Sequence, residues 1–61
     1  MKKFFIYKTR TGAYYRGQSP SSFVWGLDKN EKALVSLEEA EAIVMEHNEK
    51  WGEELWIVLN Q

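Results

Sequence analysis

Acid–base and nucleophilic catalysis both need a base within hydrogen-bond reach of the group it serves, and burial that drives pKa values apart. This chain of 61 residues holds a single histidine, His47, and no cysteine. That inventory excludes thiolate metal sites and the usual two-histidine zinc arrangements. His47 falls on the apolar side of a helical pattern, which predicts a packed, neutral side chain rather than a general base. The glutamates gather mostly on the opposite, solvated side, where nothing raises their pKa. Gly12 and Gly17 are isolated turn residues and do not form a phosphate-binding loop. The expectation is a protein with no catalytic residues, no metal and no cofactor.

What remains to do chemistry is charge and aromatic rings, and the charge is sorted by position. Residues 1–32 carry seven cationic side chains against two anionic ones, whereas residues 33–61 carry one against seven. The net charge is only −1, yet the chain has a basic half and an acidic half. Such asymmetry bears on partners and encounter rates rather than on fold. In the basic half, Arg10, Tyr14, Tyr15 and Arg16 interleave rings with cations, a mixture suited to single-stranded nucleic acid or RNA. The plainer reading puts one tyrosine in the core and the other at a sheet edge. An isoelectric point near 5.7 also lies far from the basic values of nucleic-acid binders. In the acidic half, Glu38, Glu41, Glu46 and Glu49, with Glu39 at the margin, make an anionic strip interrupted by Met45. Methionine is an adaptable contact on binding surfaces, so this strip is the leading candidate for docking on a basic protein surface. The two halves could also meet between copies, although compensation of the hairpin cations by Glu53 and Glu54 within one chain is simpler.

The elements that position these groups are legible in outline. Lys3 to Lys8 reads as a strand rich in strand formers. Thr9-Arg10-Thr11-Gly12 is a turn of hairpin length, and Ala13 to Arg16 returns. Gln18 to Ser22 reads as a loop, Phe23 to Trp25 as a third strand stopped by Gly26, and Ala33 to Val35 as a short extended approach. Ser36 is a natural N-cap, with Glu39 three residues on to complete a capping box, and Gly52 supplies the stop. Between them Leu37, Ala40, Ile43, Val44, His47 and Trp51 form one apolar stripe. Glu54 to Leu59 is a continuous apolar run, read as a strand covered on both faces or nearly so, and paired with the first strand. The predicted architecture is α+β: a small antiparallel sheet of three to four strands with one amphipathic helix packed on it, in the order β-β-β-α-β, as a single domain over residues 1–61.

A domain this small buries only about 60% of its unfolded surface, so its margin of stability is thin. Three each of Trp, Tyr and Phe supply packing material, more than a monomer this small easily hides, and a homodimer is expected. The apolar start Phe4-Phe5-Ile6 is cut off by Lys8 and Arg10, too soon for a secretion signal or a membrane span. The expected location is the cytoplasm, with no membrane association.

The spacing Tyr7…Thr11-Gly12-Ala13-Tyr14-Tyr15-Arg16-Gly17, then Trp25, then Ala33…Ser36-Leu37-Glu38-Glu39-Ala40 resembles short accessory proteins of tailed bacteriophages. The resemblance spans nearly the whole chain, and its motifs are structural: turn glycines, core aromatics and a helix cap. It implies a phage-encoded protein that binds and inhibits a host enzyme or defence protein in the host cytoplasm, and it carries over no binding residues. The leading expectation is therefore a small non-catalytic inhibitor of a host protein, with Glu38, Glu41, Met45, Glu46 and Glu49 in contact. A nucleic-acid binder using Arg10, Tyr14, Tyr15 and Arg16 is the alternative, and a structural or self-assembling protein the third.

Overall fold

The computed structural model describes residues 2–19 and 22–61. Aromatic and β-branched side chains favour extended backbone at the start of the chain, which forms β1 (Lys3–Lys8). The turn closes where Gly12 takes a φ of 75° and its N–H donates to the Lys8 carbonyl at 2.8 Å. The return strand β2 (Ala13–Gln18) runs two residues beyond the expected end at Arg16. A register shift between Tyr15 and Gly17, with Gly17 at φ 127°, lets the strand bend and continue pairing. β3 (Phe23–Gly26) follows. The middle of the expected Gln18–Ser22 loop lies outside the described residues.

A 3₁₀ turn at Lys29–Glu31 is capped by Asp28, whose carboxylate accepts from Asn30 N at 2.9 Å. The next segment does more than approach the helix. β1 and β2 are in register only at Tyr7–Tyr14 and Lys8–Ala13, near their shared turn. Beyond that, Phe4 and Val35 exchange both backbone bonds at 2.8 Å, and Ala33 N donates to Tyr15 O at 2.8 Å. Residues 33–35 thus fill the gap between the two diverging strands and satisfy backbone groups that would otherwise be orphaned.

The helix α1 (Leu37–Trp51) begins at Ser36, whose Oγ accepts from Glu39 N at 3.2 Å. It ends at Gly52 in the left-handed region, with φ 65°. After it, β4 (Leu55–Asn60) pairs antiparallel with β1 over six residues, as the sequence predicts. The sheet order is β3-β2-β1-β4, four antiparallel strands with one helix packed on one face. The core between the layers holds Ile6, Tyr15, Val35, Ala40 and Ile43. No helix among the described residues is long and apolar enough to cross a membrane.

Two expectations need correction. Leu37 and Trp51 are exposed, Trp51 by 69%, so the buried stripe narrows to Ala40, Ile43 and His47 with Val44 beside it. A 15-residue helix is about 22 Å long against six-residue strands of about 20 Å, so both of its terminal residues reach the margin of the sheet. The final strand is likewise not covered on both faces. β1 is central, β4 is an edge, and Trp56 is 54% exposed on the face that no helix covers. The apolar run there reflects aromatic neighbours within an open face rather than a second layer.

Candidate functional site

The helix presents its anionic strip outward. Glu38, Glu41, Met45 and Glu49 recur at three- and four-residue spacing, which puts them on one face, and all are exposed. Met45 is 65% exposed in their midst. Among the described residues no cation stands within ion-pair range of Glu38, Glu41 or Glu49. Glu46 turns to the flank, where Lys50 Nζ lies 3.8 Å from its carboxylate.

The basic residues do not form one surface. Alternation along β2 sends Tyr14 and Arg16 to the open face and Tyr15 into the core, where it is only 3% exposed. Tyr15 therefore drops out of any external contact; its ring packs between Phe23 and Trp25, with centroids 5.8 Å away on each side. Arg16 pairs with Glu31 at 3.1 Å and lies across Gly26. A Cβ at position 26 would stand 2.5 Å from Arg16 Cδ, so the glycine makes room for the arginine stem. Arg10, in the turn, leans to Glu53 at 3.9 Å. The expected internal compensation is thus seen at Glu53, whereas the Glu54 carboxylate accepts from Trp56 Nε1 at 2.8 Å.

On the open face a row of rings runs from Phe5 to Tyr14 (5.8 Å), Tyr14 to Tyr7 (5.2 Å) and Tyr7 to Trp56 (6.3 Å). Lys32 Nζ sits 5.2 Å above the Phe5 ring. Only Tyr14 of this row was a sequence candidate. Tyr7 joins it as its register partner across β1 and β2, and Trp56 follows as the partner of Tyr7 across β1 and β4.

A cleft of about 410 Å³ opens at one end of the helix–sheet interface, lined by Trp25, Trp51, His47, Lys8 and Glu53 among others. His47 is buried and stands between the two indoles, 5.2 Å from Trp25 and 6.4 Å from Trp51. Its Nε2 lies 2.8 Å from Glu53 Oε1, and Lys8 Nζ lies 3.5 Å from the same oxygen while resting 4.4 Å from the Trp25 ring centre. The hydrogen bond from His47, then the nearby Lys8 ammonium, hold the Glu53 carboxyl below its usual range. An ionised carboxylate only accepts, so Nε2 carries the proton. The arrangement fastens the turn after α1 to the end of β1. Neither Glu53 nor Lys8 was a candidate binding residue: the sequence offers Glu53 only as a compensating charge for the hairpin cations, because it follows the helix cap and has no periodic signature. Among the described residues no three His, Asp or Glu side chains converge as a metal site would require.

A group whose folded pKa is depressed stabilises the fold above its ordinary value and ceases to do so as pH falls through the folded one. Thermal unfolding of the wild type should therefore lose midpoint as pH drops below about 4.5, and Glu53→Gln should flatten that acid limb. Equal acid slopes for the two proteins would show that Glu53 does not anchor the cluster.

Compared with known proteins, the chain matches no family model, no curated protein and no solved structure.

Proposed function

We propose that this is a small non-catalytic binding protein that docks on another protein through the outward face of α1. Glu38, Glu41, Met45 and Glu49 form the contact strip and Glu46 its flank. The observation that carries this reading is the strip itself: Glu38, Glu41 and Glu49 share one exposed helix face with Met45, and among the described residues no cation stands within ion-pair range of them. Among the same residues Lys2, Lys3, Lys29 and Lys32 also have no carboxylate in range, but they do not share one helix face around an apolar centre. Uncompensated charge of one sign around an exposed Met offers steering to a basic partner and an apolar centre to close upon. The likeness to short phage accessory proteins supports a host protein as the partner, bound and inhibited in the host cytoplasm.

The ring row from Phe5 to Trp56 favours a second reading, a single strand of nucleic acid stacked on the open sheet face beside Arg16. It is the weaker one, because the arginines that would meet phosphate are already paired with Glu31 and Glu53.

Capture from a bacterial host lysate on immobilised protein should return one stoichiometric protein. Glu41→Lys with Glu49→Lys should weaken that capture by about tenfold or more, since like charges then face each other. Tyr14→Ala with Arg16→Ala should leave it intact. Retardation of a single-stranded oligonucleotide that vanishes in the Tyr14–Arg16 variant would instead establish the nucleic-acid reading.

A further inference from the structure

The two edges of the sheet are built differently. β3 is four residues long and pairs with β2 across a bulge, features that blunt an edge. β4 is six residues long and in unbroken register with β1, and its Leu55-Trp56-Ile57-Val58-Leu59-Asn60 has no proline, glycine or charge to deter another strand.

The backbone polarity of that edge can be deduced. Phe4 gives both of its bonds to Val35, so its polar groups face away from β4. Antiparallel ladders alternate, so Phe5 and Tyr7 exchange bonds with Val58 and Trp56. Leu55, Ile57 and Leu59 are then left with N–H and C=O aimed at the open edge. No backbone partner from the described residues meets them there.

We propose that a second copy of this chain pairs antiparallel along β4, about a two-fold axis through Ile57. In that register Ile57 meets its own counterpart, and Leu55 meets Leu59 in each direction, so the outward groups of all three residues are satisfied. A two-fold normal to the sheet keeps both helices on the same side. On the open face it sets each exposed Trp56 opposite the other copy's Val58, an aromatic–β-branched pair that continues the apolar open face across the interface. It also sets Glu54 opposite Asn60, whose neighbour in its own sheet is Lys3, so opposite charges flank the join on one face. This charge match and the self-complementary polarity favour a second copy over an unrelated strand.

Sedimentation equilibrium of the purified protein across the micromolar range should give about twice the chain mass of 7.2 kDa. Leu59→Lys adds a charge where the chain alone leaves the side chain 38% exposed. It should return the single-chain mass with an unchanged circular dichroism spectrum. Amide exchange should report the register, with Leu55, Ile57 and Leu59 gaining protection as concentration rises. A wild-type mass of 7.2 kDa throughout would overturn the proposal. So would a dimer that persists in Leu59→Lys, or one that leaves those three amides as fast as at high dilution.

Discussion

Replacing Tyr15 with alanine should remove most of the stability of this protein, whereas replacing it with phenylalanine should leave the fold standing. A chain of 61 residues has about 3–9 kcal/mol to lose. Truncating a buried aromatic costs about 3–5 kcal/mol, and here Phe23 and Trp25 would both lose their shared neighbour. The thermal midpoint should fall by roughly 12 °C or more. Tyr15→Phe keeps the ring, and its effect shows at high pH. Burial, and secondarily the Glu39 carboxylate, push the Tyr15 phenol above its ordinary 10.0. An acid with a raised folded pKa stabilises fully below its unfolded value and loses that contribution as pH rises past it. The wild type should therefore weaken above about pH 10, and Tyr15→Phe should weaken less. Wild-type stability in Tyr15→Ala would contradict a core position for this residue.

Ile6→Ala should rank next. Ile6 is completely buried in the central strand and touches the layer that α1 covers. Loss of its side chain costs about 2–5 kcal/mol, the spread depending on how far the site collapses. Collapse is limited, because Ala40 opposite is already small and fully buried. Chemical denaturation at neutral pH measures the loss directly. A change below about 1 kcal/mol would mean that the helix does not press on β1 as described.

These two residues also mark what can be read from sequence and what cannot. Ser36, Gly52 and Gly12 announce their positions through local chemistry, so the helix bounds and the first turn were legible. The pairing of the first and last strands followed from apolar content. Adjacent Tyr14 and Tyr15 are different in kind, because only strand parity separates them, and a slip of one residue would exchange their faces. That parity depends on register and on the bulge near Gly17, neither of which composition reveals. Leu37 and Trp51 obey the helical period yet lie at the sheet margin, a consequence of tertiary dimensions. The Lys8–His47–Glu53 cluster joins the end of β1 to two residues six apart across the helix stop, so its closure depends on tertiary packing rather than on any one spacing. The acidic strip was legible because helical period alone defines it. The structure adds that among the described residues its outer carboxylates Glu38, Glu41 and Glu49 have no cation within ion-pair range, whereas Lys8, Arg10 and Arg16 of the basic half each have a carboxylate partner.

Cross-linking from Met45 tests the docking strip most directly. The chain has two methionines, so photo-methionine places a reactive carbon at the centre of the strip and one at Met1, and peptide mapping separates them. In host lysate, irradiation should join one protein to the peptide containing position 45, and Glu41→Lys with Glu49→Lys should abolish that product. A host protein captured without any link at position 45, or a link that survives the charge reversal, would contradict the assignment of this helix face as the binding surface.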